Sequence, residues 1–168
     1  PGDLVFSEMM INPDLVYDEV GEWVELYNTA SYAIDVGGYS FHDDDYDHYA
    51  LVGPLIVEGG DYLVLCASTN RAENGGVDCD GWFHRDYQGD GLALANREDE
   101  VVLSRPDGVE IDWLHYDEDW FQMGVAIGID PSFMTSGAND DREHWCDQVS
   151  VMESGEFGTP GRENDRCQ

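Results

Sequence analysis

The chain has 168 residues, the length of one domain and too short for two. It carries 37 Asp and Glu residues against seven basic residues, all arginine, so its formal net charge is -30. Because phosphate affinity is built mostly from Lys and Arg contacts, this charge argues against nucleic-acid or anionic-membrane binding and favours cations or basic partners. The 42% hydrophobic and 12% aromatic fractions differ from those of disordered proteins, and no apolar run approaches the roughly 20 residues of a membrane span. We therefore expect a folded, soluble, acidic domain.

The first half of the chain alternates short apolar segments with turn signals. These segments are residues 4–11, 22–28, 39–41, 55–57 and 62–66. In the second of them, Val24 and Leu26 face one side while their neighbours face the other, as in a strand. Residues 58–61, Glu-Gly-Gly-Asp, separate the last two segments, which favours a hairpin between them. Helical periodicity is almost absent, so the pattern is typical of an all-β sandwich or barrel.

The second half begins with the longest irregular stretch, residues 67–91, and loops of this length are usually functional or fixed by a covalent link. Apolar segments follow at residues 92–94, 100–103 and 109–116. A turn at residues 106–108, Pro-Asp-Gly, should pair the last two, because proline fixes φ and glycine accepts positive φ. Later, residues 117–124 and 134–147 look like loops and residues 125–129 like an extended segment.

One sandwich of seven to nine strands fits this reading of the whole chain. We expect a single domain over residues 1–168, with a core at about residues 3–116 and a loop-rich C-terminal extension at about residues 117–168. No internal repeat or linker divides the chain.

Four cysteines, Cys66, Cys79, Cys146 and Cys167, permit three disulfide pairings. Their spacing contains no CxxC element of the kind that marks zinc or thioredoxin-like sites. Disulfides would place the chain in an oxidising compartment outside the cytosol. The alternative is four buried free thiols.

A series of short motifs follows a distinctive order along most of the chain. They are residues 8–13 (EMMINP), 22–28 (EWVELYN), 38–41 (GYSF), 58–65 (EGGDYLVL), 91–96 (GLALAN), 99–103 (DEVVL), 107–108 (DG) and 158–161 (GTPG) with Asn164. In this order they resemble the lamin tail domain in its bacterial form, which implies an immunoglobulin-like β-sandwich. The resemblance also implies an extracellular or cell-surface module to which no catalytic residues are assigned. Nuclear members bind DNA and chromatin through a basic surface, which this sequence lacks.

Two segments near the end of the chain sharpen this resemblance. Residues 139–146 and the ending at Cys167 look like lamin-tail modules of secreted proteins from myxobacteria and their relatives. We favour disulfides between Cys66 and Cys79 and between Cys146 and Cys167, and this similarity is part of the reason for the second pair. In the chain-entropy model each bond would stabilise the fold by about 3 kcal/mol.

The densest cluster of acids is residues 43–47. Its alternating carboxylates, Asp43, Asp45 and Asp47, resemble the first half of a calcium-binding loop, in which hard oxygen ligands surround the cation. The glycine and the bidentate glutamate of an EF-hand are missing from the second half, so we predict a looser Ca²⁺ site. The alternative is a solvated acidic turn between two strands.

Acids that are distant in the sequence extend this prediction. In a sandwich, the loop after the first strand and the loop after Phe41 can meet at one end, which would bring Glu8, Asp18 and Glu22 to the same calcium site. A third cluster consists of Asp112, Asp117, Glu118 and Asp119 beside Asp140 and Asp141. Each cluster is either a cation site or a solvated surface, and adaptation to saline surroundings is a further explanation of the charge.

Aromatic residues on loops are typical binding anchors. We predict ligand contacts from Trp82, Tyr87 and Trp120, and the alternative is that these rings cap the open ends of the sandwich. Trp23 and Trp113 lie in predicted strands and are expected to be packing residues.

The sequence contains no HExxH pair, GxSxG motif or phosphate-binding glycine loop, so no catalytic residue is predicted. The leading interpretation is a secreted or cell-surface module for adhesion, anchoring or assembly, with a protein or glycan partner and calcium as a candidate structural ion. Exposed sheet edges would also allow homo-oligomers or filaments. The second interpretation is a calcium-dependent carbohydrate-binding module, and the third is a metal-assisted hydrolase that uses clustered carboxylates.

Overall fold

The computed structural model describes residues 2–43, 47–83 and 91–168. Its strands are β1 (Leu4–Met10), β2 (Trp23–Asn28), β3 (Ile34–Asp35), β4 (Ser40–His42), β5 (His48–Ala50), β6 (Ile56–Val57), β7 (Tyr62–Cys66), β8 (Gly81–Trp82), β9 (Asp99–Ser104), β10 (Glu110–Tyr116), β11 (Ile127–Ile129) and β12 (Trp145–Asp147). A short helix, α1 (Asp18–Gly21), follows β1, and single 3-10 turns lie at Pro131–Phe133 and Arg142–His144. None of the helices in these ranges has the length and apolar character needed to cross a membrane.

The described residues form an all-β fold, as predicted, but with twelve strands where the sequence predicted seven to nine. The sequence missed β3, β5, β8 and β12, because these strands have only two or three residues and leave no periodic pattern. Conversely, the apolar segment at residues 92–94 lies outside the strands. One sheet has the strand order β12-β11-β1-β2-β7-β8, another has the order β10-β9-β4-β5, and β3 pairs with β6.

Two turns that the sequence predicted have different outcomes. The turn at residues 106–108 joins β9 to β10, which pair in antiparallel register as expected. The predicted hairpin between residues 55–57 and 62–66 was wrong, because β6 pairs with β3 whereas β7 pairs with β2. The turn at residues 58–61 therefore carries the chain from the small sheet to the six-stranded sheet.

An apolar core lies between the two large sheets. It includes Leu4, Phe6, Val24, Leu26, Phe41, Leu103 and Leu114. The alternation of β2 directs Trp23 to the opposite face of the six-stranded sheet, where it joins a second cluster with Met10 and Val64. Every residue of β1 is buried, so this sheet is covered on both faces.

The chain after Tyr116 extends the six-stranded sheet. Strand β11 pairs with β1, and β12 pairs with β11, so residues 134–147 end in a strand where the sequence predicted only a loop. Disulfides join Cys66 to Cys79 and Cys146 to Cys167, which confirms the favoured pairing and excludes free thiols. The second bond attaches the end of the chain to β12.

Candidate functional site

Carboxylates from three parts of the chain converge on residues 92–96, a segment outside the strands. The donor and acceptor pairs are Ala93 N to Asp47 Oδ2 (2.6 Å), Leu94 N to Glu22 Oε2 (3.3 Å), Ala95 N to Asp99 Oδ2 (2.7 Å) and Asn96 Nδ2 to Asp18 Oδ2 (3.0 Å). We call these four acids the carboxylate cradle. Because no neighbouring strand accepts these hydrogen bonds, the cradle takes the place of a strand partner. It thereby holds Leu92 and Leu94 in the core.

The cradle contains residues that the sequence assigned to a calcium site. Asp18 and Glu22, after β1, and Asp47, after β4, bind the same short segment, so the two loops do meet at one end. The Asp43 side chain accepts a hydrogen bond from Asp47 N (2.8 Å), and Asp45 lies outside the described residues. Within the described ranges no three His, Cys, Asp or Glu side chains are placed to hold a metal ion. The calcium site at the cradle stays a prediction.

Asp99 gives the cradle a dependence on pH. Burial raises the pKa of Asp99 to about 6, and the nearby charge of Asp43 adds to this effect. Hydrogen bonds from Ala95 N and the Tyr116 hydroxyl (3.2 Å) oppose the rise without cancelling it. The cradle therefore gains negative charge as the pH rises through about 6.

Glu8, the remaining residue of the predicted calcium set, contacts the C-terminal part of the chain instead of the cradle. Its Oε1 accepts a hydrogen bond from Thr159 N (2.7 Å) and its Oε2 accepts one from Thr159 Oγ1 (2.7 Å). Opposite Glu8 on β2, Glu25 accepts hydrogen bonds from Ser7 Oγ (2.7 Å) and Gly161 N (2.7 Å). Two fully buried glutamates thus attach residues 148–165, which we call the closing segment, to the six-stranded sheet.

The protonation of these two glutamates follows from their burial. Burial raises the pKa of Glu8 to about 8. Burial and the proximity of Glu8 raise the pKa of Glu25 well above its ordinary value. Hydrogen bonds from the closing segment lower both values, but by less than burial raises them. Glu8 is therefore mainly protonated at neutral pH, so two acids can lie side by side in a buried layer.

A third buried acid, Asp112 on β10, links the two large sheets. Its Oδ2 accepts hydrogen bonds from Phe6 N (2.8 Å), at the bulge of β1, and from Asn139 Nδ2 (2.6 Å). Trp145 Nε1 in turn donates to the Asn139 carbonyl (2.7 Å). The sequence placed Asp112 in an acidic cluster but missed Asn139, whose only signal was its position immediately before Asp140. One carboxylate thus connects β1, β10 and the loop that precedes β12.

The aromatic residues predicted to contact a ligand have different environments. Trp82 is 46% exposed, whereas Tyr87 lies outside the described residues. Trp120 is only 8% exposed, with its ring 6.3 Å from that of Trp145 and the Arg142 guanidinium 5.3 Å from its centroid. Its assignment as a ligand contact was wrong, because the segment around β12 packs over it.

Trp113 was predicted to be a packing residue, but 47% of it is exposed. The alternation of β10 directs Leu114 into the core and therefore Trp113 to the outer face of the four-stranded sheet. There it lines a cleft of about 290 Å³ together with Glu100, Val102, Glu110 and His115. Trp23 is buried and packs as expected.

A groove of about 560 Å³ lies beside α1, and we call it the apolar groove. Its lining consists of Asp14, Leu15, Val16, Tyr17, Val20 and Glu73. Leu15 is 61% exposed and Tyr17 is 82% exposed. The buried side chain of Glu156 fixes this loop, since its Oε1 accepts hydrogen bonds from Asp14 N (2.6 Å) and Leu15 N (3.0 Å). The groove was not predicted from the sequence, where its signal is the apolar run Leu15-Val16-Tyr17 within an acidic loop.

The family model of the Lamin Tail Domain matches residues 1–118. The chain belongs to this family. The match spans β1 to β10 and confirms the immunoglobulin-like β-sandwich that the resemblance implied. No curated protein matches the chain.

The motifs that suggested the lamin tail domain have definite structural roles. Residues 91–96 contain the segment that the carboxylate cradle binds, and residues 158–161 contain the two backbone donors to Glu8 and Glu25. The chain after residue 118 adds β11, β12 and the closing segment to the matched region. Lamin tail domains are typically non-catalytic, which fits an interaction module.

Proposed function

We propose that this lamin tail domain is a non-catalytic interaction module that binds a basic protein segment in the apolar groove. The observation that carries the proposal is the exposure of Leu15 and Tyr17 on a loop whose backbone Glu156 holds in place. Large apolar side chains on a fixed backbone bind a partner with little loss of conformational entropy, and aromatic residues of this kind are frequent anchors.

The charge around the groove supports a basic partner. Asp14 and Glu73 belong to its lining, and Asp18 and Glu19 occupy the first turn of the adjoining helix α1. The formal net charge of -30 would speed the approach of a cationic segment over a distance, and apolar contacts would then slow its release. A second copy of the chain fits the groove poorly, because both surfaces carry the same sign of charge.

A place outside the cytosol is part of the proposal. The two disulfides support it, because such bonds persist in oxidising compartments. The module would then act in adhesion, anchoring or assembly as a secreted or surface-displayed domain. Self-association through strand edges stays a prediction.

Titration with matched peptides tests the proposal. The probe is a fluorescent peptide that alternates lysine with leucine, compared with one in which serine replaces leucine and one in which glutamate replaces lysine. We expect the first peptide to bind most tightly, with an affinity that falls as salt is added. The Leu15→Ser/Tyr17→Ser variant should weaken binding at least about tenfold. The control Val52→Ser, at an exposed position outside the groove lining, should leave it unchanged.

Two results would overturn the proposal. The first is equal binding of the lysine–leucine and lysine–serine peptides, which would mean that charge alone recruits them. The second is unchanged binding to the Leu15→Ser/Tyr17→Ser variant, which would place the contact elsewhere.

Carbohydrate binding is a second candidate function, and the exposure of Trp113 favours it. A tryptophan on a regular strand offers a fixed ring for stacking, while Glu100 and Glu110 could accept hydrogen bonds from sugar hydroxyls. An array of neutral oligosaccharides, probed with the parent domain and with Trp113→Ala and Trp82→Ala, tests this function. Loss of binding in Trp113→Ala alone supports the cleft, and loss in Trp82→Ala alone supports the loop site predicted from the sequence. Absence of binding to every glycan contradicts both sites.

A further inference from the structure

Two buried oxygen atoms beside β10 have no hydrogen-bond donor among the described residues. They are Asp112 Oδ1 and Asn139 Oδ1. Asp112 is 3% exposed and Asn139 is fully buried, so bulk water does not reach them. A hydrogen bond of 2.6 Å from Asn139 Nδ2 to Asp112 Oδ2 joins the two side chains. Asp112 Oδ1 shares its carbon atom with the acceptor of this hydrogen bond, and Asn139 Oδ1 shares its carbon atom with the donor. The two orphan acceptors therefore belong to one hydrogen-bonded pair of side chains.

The electrostatic surroundings add to this lack of donors. Burial is the largest cause that raises the pKa of Asp112 to about 7, and the neighbouring acid Asp140 raises it further. Asp140 itself is exposed, immediately after Asn139 in the chain. A buried carboxylate beside a second acid and an unpaired amide oxygen lacks positive charge.

Hydrogen bonds from backbone and side-chain groups hold the two residues that carry these oxygens. Phe6 N holds Asp112 from the bulge of β1 (2.8 Å), while Trp145 Nε1 donates to the Asn139 carbonyl (2.7 Å). Asn139 N also donates to Thr135 O (3.0 Å), which closes the turn that carries the amide side chain. The two acceptors thus belong to a preorganised frame drawn from β1, β10 and the loop before β12.

We propose that Asp112 and Asn139, with Asp140 at the entrance, bind a hard cation of the Ca²⁺ class. A hard cation takes oxygen ligands, and it would supply the charge and the partners that both orphan oxygens lack. Water molecules that enter together with the cation would complete the coordination shell. With so few protein ligands, the affinity is expected in the range of about 10⁻⁴ to 10⁻³ M that is typical of extracellular calcium modules.

Isothermal titration of the whole domain with CaCl₂, at constant ionic strength, tests the proposal. We expect one binding event in the parent domain and a loss of affinity of at least about tenfold in Asp112→Asn. This variant keeps an acceptor for Phe6 N, so circular dichroism should show an unchanged fold. The matched control is Glu58→Gln, which removes an exposed carboxylate in the turn before β7 and should leave the affinity for Ca²⁺ unchanged.

Terbium provides a second measurement, because Trp145 lies next to the proposed site. Tb³⁺ bound there should emit when tryptophan is excited, and added Ca²⁺ should remove the emission. Equal affinity for Ca²⁺ in the parent domain and in Asp112→Asn would overturn the proposal, as would an equal loss of affinity in Asp112→Asn and Glu58→Gln. Absence of Ca²⁺ binding at millimolar concentration would also overturn it, and would assign the orphan oxygens to a bound water or a proton.

Discussion

Replacing Glu8 by glutamine should change how the stability of the domain depends on pH. Burial raises the pKa of Glu8 from 4.5 to about 8 in the folded domain. The folded state therefore binds this proton more tightly than the unfolded state, and stability falls as the pH rises between these two values. The loss is absent well below pH 4.5 and reaches its full size above about pH 8.

The size of the effect follows from the two pKa values. Neutral pH lies about 2.5 pH units above the ordinary pKa of 4.5, and each unit corresponds to about 1.4 kcal/mol. Burying Glu8 therefore costs the folded state about 3 kcal/mol at neutral pH. Glutamine has the same shape and does not ionise. Its Oε1 can accept from Thr159 N and its Nε2 can donate to Thr159 Oγ1, so both contacts with the closing segment survive. Glu8→Gln should thus be more stable than the parent by about 3 kcal/mol near pH 7 and about equally stable below pH 4.5.

Urea denaturation of both proteins across this pH range measures the difference. The pH profile of the variant should flatten without becoming level, because burial also raises the pKa of Glu25. Glu58→Gln, in the exposed turn before β7, is the control and should follow the parent at every pH. Parallel profiles for Glu8→Gln and the parent would refute the reasoning, since they would mean that Glu8 titrates equally in the folded and unfolded states.

Three further changes test other parts of the structure by thermal unfolding. Replacing Cys146 and Cys167 together by serine should lower stability by about 3 kcal/mol, because it opens a loop with a sequence separation of 21, whereas an unchanged melting temperature would contradict this estimate. Trp120→Ala should lower the free energy of unfolding by about 3 to 5 kcal/mol, because the ring is buried, and Trp113→Ala should lower it by less than about 1 kcal/mol. Similar losses in the two variants would contradict the difference in burial between the two rings. Asn164→Ala should cost about 2 to 4 kcal/mol, because its Nδ2 donates to the carbonyls of two strands at 2.7 Å and 2.9 Å, and a loss below about 0.5 kcal/mol would contradict this role.

The regular part of the fold could be predicted from the sequence because local chemistry determines it. The Pro-Asp-Gly turn at residues 106–108 fixes its own geometry, with Gly108 at φ +81°, and β9 and β10 pair across it. The turn at residues 58–61 is equally clear in sequence, yet its flanking segments pair with β3 and β2. A turn signal states that the chain reverses, but the choice of partner depends on which apolar faces meet in the core.

The candidate sites were less predictable, because carboxylates serve opposite purposes in similar sequences. Asp47 and Glu22 were assigned to calcium by their density and position, and both bind backbone N–H groups of residues 92–96. Glu25 alternates with apolar residues as a solvent-facing residue would, yet it is buried, because the closing segment arrives from more than a hundred residues away. Contacts over such separations leave no local pattern.

The two buried glutamates make the sandwich that the family model matches dependent on a part of the chain that this match leaves out. A fragment ending at residue 118 would lack both β11 and the donors Thr159 N and Gly161 N, so an open edge on β1 and two solvated acids would remain. Such a fragment should aggregate through the open edge of β1, because no strand then covers the backbone groups of that edge. By the same reasoning, a lamin tail domain that keeps a closing segment needs hydrogen-bond acceptors at these two positions, whereas a domain without that segment has no such requirement.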